Sequence, residues 1–209
     1  PTFTTATIAT SADYVRDVHV GDLDADGDLD IISASKLDNT IAWYENDGAA
    51  NPTFTAADIA VSAQSANDVH VADLDGDGDL DIISASMDDD TIAWYENDGA
   101  ANPTFTAADI ATSADSARDV EVADIDRDGD LDIISASYND DTIAWYENDG
   151  AANPTFTAAN IATTADGALG VTIADIDGDG DLDIISASAE DDTIAWYEND
   201  GATNPTFTA

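Results

Sequence analysis

The chain has 209 residues, with 46 acidic side chains against 4 basic ones and a formal net charge of −42. Such a surface repels phosphates, which disfavours nucleic acid and anionic membranes as partners, and the absence of cysteine excludes disulfides and thiol chemistry. Apolar residues at 44% still allow a core, no apolar run approaches a membrane-spanning length, and the charge suits saline surroundings, where screening lengths are short.

In chain order, Pro1-Thr2-Phe3-Thr4 opens an alternating Thr/Ala/Ile stretch, and a strand is predicted over Thr2–Thr10. A polar turn follows over Ser11–Arg16. Asp17-Val18-His19-Val20 reads as a short strand running into Asp22-Leu23-Asp24-Ala25-Asp26-Gly27-Asp28-Leu29-Asp30. Ile31-Ile32-Ser33-Ala34-Ser35 leaves as the next strand, and its adjacent isoleucines fit a sheet covered on both faces. After a turn at Lys36–Asn39, Thr40–Glu45 is a fourth strand, closed by the turn chemistry of Asn46-Asp47-Gly48.

The acidic run returns at Asp73–Asp81, Asp124–Asp132 and Asp175–Asp183, a constant spacing of 51 residues. The copies span 1–51, 52–102, 103–153 and 154–204, and 205–209 begins a fifth. Four short strands per copy, with no amphipathic helix, predict an all-β chain forming one domain, or half of one, over 1–209. A four-stranded antiparallel sheet at such a period is the signature of a β-propeller blade.

Five acids at every second position repel one another unless a cation intervenes. Asp22, Asp24 and Asp26 fall at positions 1, 3 and 5 of a calcium loop, with Gly27 at 6, the carbonyl of Asp28 at 7 and Asp30 at 9. The likeness to an EF-hand ends there. Position 12, a bidentate Glu in an EF-hand, is Ser33, Ser84, Ser135 and Ser186, and strands rather than helices flank the loop. A solvated acidic turn that binds nothing is the plainer reading; four copies with glycine in the same place argue against it.

Asp-x-Asp-x-Asp-Gly-x-x-Asp before an Ile-rich strand, with Trp-Tyr-Glu-Asn-Asp-Gly downstream, resembles the FG-GAP/VCBS repeats of integrin-α-like propellers. The resemblance covers essentially the whole chain. It implies calcium in the hairpin between the first two strands of each blade, about one ion per repeat and four per chain. The implied ligands are Asp22, Asp24, Asp26, Asp28 (by its carbonyl) and Asp30; Asp73, Asp75, Asp77, Asp79 and Asp81; Asp124, Asp126, Asp128, Asp130 and Asp132; and Asp175, Asp177, Asp179, Asp181 and Asp183. Propellers of this family commonly have seven blades, whereas the chain has four repeats. Either one chain closes a four-bladed ring, with the N-terminal strand completing the last blade, or two chains close an eight-bladed ring as a homodimer. The redundant ends favour the second.

Other side chains read as structural. Trp43, Trp94, Trp145 and Trp196 recur mid-strand on the face of Ile41 and its equivalents, which favours blade packing over sugar stacking; Tyr44, Tyr95, Tyr146 and Tyr197 take the opposite face. His19 and His70 become Glu121 and Thr172 in later copies, which fits a channel lining better than catalysis. Arg16 and Arg118 read as partners for nearby acids. The copies differ most in two turns, at 14–16 and 36–39 and their equivalents, where ligand contacts or neutral drift would both fall. The expectation is a secreted, extracellular calcium-binding propeller without catalytic activity, recognising a glycan or protein. A purely architectural or engineered scaffold is the alternative, and a polysaccharide-acting enzyme or its accessory domain is a third reading.

Overall fold

The computed structural model describes residues 5–209, so the first residues of the strand predicted over Thr2–Thr10 lie outside the described residues. Among the described residues the chain is all-β, with sixteen strands in four antiparallel four-stranded sheets. The first sheet is β1 (Val15–Gly21), β2 (Asp30–Ser35), β3 (Thr40–Asn46) and β4 (Phe54–Ala60). The second is β5 (Ala66–Ala72), β6 (Asp81–Ser86), β7 (Thr91–Asn97) and β8 (Phe105–Ala111). The third is β9 (Ala117–Ala123), β10 (Asp132–Ser137), β11 (Thr142–Asn148) and β12 (Phe156–Ala162). The fourth is β13 (Ala168–Ala174), β14 (Asp183–Ser188), β15 (Thr193–Asn199) and β16 (Phe207–Thr208). Each sheet is a blade in simple meander order. The folding unit is out of phase with the sequence repeat, because a blade's outermost strand comes from the opening of the next copy.

Register sorts the side chains. Ile32 sits opposite Trp43 and Ile31 opposite Tyr44, so one diagonal set faces forward along the array and the other faces back. The front of the first blade (Leu23, Ile32, Ala34, Ile41, Trp43) closes on the back of the second (Ala66, Val69, Ile82, Ala93, Tyr95). Equivalent residues build the second and third junctions. Each core thus lies between blades, which is why a strand with apolar residues on both faces is stable here. Trp43, Trp94 and Trp145 belong to these junctions: Phe105 meets Trp43 edge-on with ring centroids 6.3 Å apart, and Phe207 meets Trp145 at 6.4 Å.

Polar ties repeat with the cores. Asn97 Nδ2 donates back to the Leu23 carbonyl at 2.8 Å, Asn148 to Leu74 at 2.9 Å and Asn199 to Ile125 at 3.1 Å. Going forward, the side chains of Asn39, Asp90 and Asp141 accept from the N–H groups of Ser65, Ser116 and Gly167. Asn39, Asp90 and Asp141 all hold a left-handed φ of 57–59° at the β2–β3-type hairpin, a conformation Asn and Asp tolerate best after glycine.

Two expectations about the ends change. Thr5–Thr10 forms no strand, although its counterparts β4, β8 and β12 do. Those three pair with β3, β7 and β11, the strands just before them in their own blades, and among the described residues no strand comes before Thr5 to offer it such an edge. The N-terminal segment does not complete the last blade either; β16 pairs there instead, with Glu198 and Asn199 alone. The back of the first blade and the front of the fourth remain exposed, so the described chain does not close on itself.

Candidate metal centre

The acidic run is the β1–β2 hairpin loop of each blade, between Gly21 and Asp30 in the first and at the same place in the others. Short carboxylates fold it by capping their own backbone. In the first loop Asp22 accepts from the N–H groups of Asp26 and Gly27, both at 3.0 Å, Asp24 from Asp26 at 3.2 Å, and Asp26 from Asp28 at 2.9 Å. The second and third loops repeat most of this pattern. The glycine at position 6 is required by its backbone: Gly27, Gly78, Gly129 and Gly180 have φ of 96–103°, which side chains disfavour.

This folding gathers Asp22, Asp24 and Asp26 so that one oxygen of each lies within 4.8 Å of the others, and likewise Asp73/Asp75/Asp77, Asp124/Asp126/Asp128 and Asp175/Asp177/Asp179. One triad per repeat could therefore hold a metal ion. The fit has a second support. Asp73 Oδ1 and Asp124 Oδ1 are buried without a hydrogen-bond partner, a costly arrangement for a carboxylate oxygen unless a cation takes it. Partial burial holds the carboxyls of Asp24, Asp75 and Asp126 above their ordinary value; one backbone donor opposes this in each, and the next aspartate's charge adds to the rise. An ion in the loop would act against both.

The remaining expected ligands stand apart from the triads. The Asp28 carboxylate packs against Gly48, where an added Cβ would collide with it; Asp79/Gly99, Asp130/Gly150 and Asp181/Gly201 repeat the arrangement. Asp30 is buried, with one oxygen accepting from Leu23 N at 3.2 Å and the other from Asn46 N at 2.8 Å. Asp81, Asp132 and Asp183 do the same. These four are staples that tie the loop to the third strand. Burial pushes Asp81 up to about 6 and Asp132 to about 7, against the pull of their backbone donors.

Several functional-looking residues escaped sequence reasoning. Asp17, Asp68 and Asp119 on β1, β5 and β9 accept from Val69, Val120 and Val171 N–H of the next blade. Burial first, then the neighbouring Asp119 charge, raises Asp68 to about 9, and Asp119 is raised as well. The signal was an aspartate two residues before the histidine position in three copies, with glycine, Gly170, in the fourth. His19 and His70 meet edge-on at 4.6 Å, and burial lowers His70 to about 4, so its 3.9 Å approach to Glu121 is a contact of a neutral ring. Arg16 and Arg118 are not ion-paired among the described residues: Arg16 donates to Asn67 and Arg118 lies over the Tyr138 ring. Arg127, in the third loop, pairs instead with Asp181 and donates to the Gly201 carbonyl of the next blade.

A propeller whose every blade carries an aspartate triad in its first hairpin is the class this fold and site define. The chain belongs to the FG-GAP-like repeat family, whose model matches residues 22–84, 73–135 and 124–186. In fold it is similar to the crystal structure of the exotype rhamnogalacturonan lyase YesX, with a TM-score of 0.53 at 15% identity over 84% of this chain. The chain spans 39% of that structure's length. No curated protein matches its sequence.

Proposed function

We propose that the chain is an extracellular, calcium-binding propeller module that recognises a glycan or protein and performs no catalysis. The observation that carries the metal assignment is the triad built four times from the same three positions, with buried, unpartnered oxygens on Asp73 and Asp124. Hard carboxylate oxygens on a flexible loop suit calcium better than softer ions. Bound there, calcium would supply positive charge that cancels the loop's self-repulsion. The triad aspartates would hold it, and Asp30 and its equivalents would fix the loop against the third strand.

At about 1 mM calcium and a site Kd of about 0.1 mM, each site adds about 1.4 kcal/mol, so four add roughly 5–6 kcal/mol. That is comparable to the net stability of a whole domain. A thermal melt with and without EDTA tests this: a large fall in Tm on chelation is expected, and an unchanged Tm contradicts it.

Recognition is supported by grooves that recur beside the third strand of three blades. A groove of about 490 Å³ beside Tyr44 recurs at about 420 Å³ beside Tyr95 and about 400 Å³ beside Tyr197. Repeated shallow sites suit a repeating polymer bound by avidity. The likeness to a rhamnogalacturonan lyase favours, as a second reading, a module acting beside a pectic polysaccharide enzyme. A glycan array probed with the calcium-loaded chain tests both: pectic fragments alone favour the second, and silence across glycans leaves the architectural scaffold as the better account.

A further inference from the structure

Every internal junction pairs the front of one blade with the back of the next, through the same positions. At the ends of the array both halves of that junction are present and uncovered. Val18 is 60% exposed where its counterpart Val69 is 2%, Ile194 is 80% where Ile143 is 0%, and Trp196 is 40% where Trp145 is 3%. Val20, Leu29 and Ile176 are exposed as well. Apolar faces of this kind are seldom left to water.

We propose that a second copy of this chain docks the back of its first blade on the front of the fourth blade, repeating the internal junction between chains. The two faces match because the molecule already joins them three times within itself. The polar groups that seal an internal junction are also in place. Asn46 Nδ2 donates to its own Leu29 carbonyl, as its equivalents do to theirs, and makes no bond to another blade among the described residues; in the proposed junction the second copy's Asn46 would reach the Ile176 carbonyl of the first. Asp192 holds the same left-handed φ, 57°, as Asp90 and Asp141, and its carboxylate would take the Tyr14 N–H. Trp196 would receive Phe54 as Trp43 receives Phe105.

The backbone agrees. β16 pairs with β15 at Glu198 and Asn199, and Ala209 follows beside Tyr197, leaving the edge from Ile194 to Trp196 open. By the register of β3 with β4, that edge corresponds to Ala6–Ala9, within the segment that forms no strand in the single chain. Strand addition from the second copy satisfies both at once. One tie is missing: Gly170 stands where Asp17, Asp68 and Asp119 reach forward, so Val18 N–H gains no carboxylate. The junction is accordingly weaker than an internal one, and with −42 on each chain it strengthens as salt screens the repulsion.

Sedimentation of the 209-residue chain in calcium and salt tests this. The wild type is expected to form species above 21.7 kDa whose share grows with concentration. Val18→Asp and Ile194→Asp are each expected to stay monomeric alone and to associate when mixed, because each retains the face the other has lost. Thr7→Pro, which touches neither apolar face but removes a donor from the added strand, is expected to weaken assembly of the wild-type faces. Circular dichroism melts check that every variant folds. A wild type that remains at 21.7 kDa up to its solubility limit overturns the proposal, as does a mixture of folded Val18→Asp and Ile194→Asp that stays monomeric.

Discussion

The middle of the array and its two ends carry nearly the same residues in different surroundings. Val69 and Val18, or Ile143 and Ile194, stand at one repeat position, yet the first of each pair is buried and the second exposed. Local sequence therefore sets strand, face and register, while burial comes from the neighbouring blade. A blade alone has two apolar faces and no core, so stability in this fold is a property of junctions, as in other stacked repeats.

The largest expected effect breaks this pairing directly. Ile143→Ala should cost about 2–5 kcal/mol, as a buried isoleucine truncation does. Ile194→Ala should change stability by no more than about 0.5 kcal/mol in dilute, monomeric protein. Urea denaturation of the two variants measures the difference; equal losses would mean that the end faces are covered after all.

The carboxylates of β5 and β9 give the next contrast, since Asp68 and Asp119 lie inside junctions and the fourth blade has Gly170. Asp68 is raised from 3.8 in the unfolded chain to about 9, first by burial. The native state thus holds this proton more tightly than the unfolded one. The stabilisation is complete below about pH 4 and is lost as pH climbs through about 9. Asp68→Asn keeps an acceptor for Val120 N–H and carries no titrating proton, so its stability relative to wild type should rise steadily across that range. A difference independent of pH would contradict the buried carboxyl pair.

A smaller effect separates Asn148 from Asn46. Asn148 Nδ2 reaches the Leu74 carbonyl of the preceding blade as well as Leu131 of its own, whereas Asn46 has only the bond within its own blade. Asn148→Ala should therefore cost about 1 kcal/mol more than Asn46→Ala, again by denaturant titration.

Much of this was legible in the residues. Ile31–Ser35 and Thr40–Glu45 announce themselves as strands, and the alternation of Trp43 with Tyr44 places them on opposite faces, as the junctions have them. The 51-residue period gave away the blade. Other features depend on partners that a linear reading does not supply. Thr2–Thr10 has the pattern of a strand, but Thr5–Thr10 pairs with nothing, because a strand needs an edge. Asp30 has the spacing of a ligand, but the spacing does not show that it is buried at the first position of β2, where two backbone N–H groups converge on it. Asp68 looks like any surface aspartate until the next blade's inner strand is laid against it.

The proposed calcium site in each blade's aspartate triad is tested most directly by calorimetric titration of the calcium-free chain. Four equivalents are expected for the wild type, falling to three when Asp73, Asp75 and Asp77 are changed together to Asn, with the other sites unaltered. No binding heat at any accessible calcium concentration, or the same stoichiometry in both proteins, would contradict it.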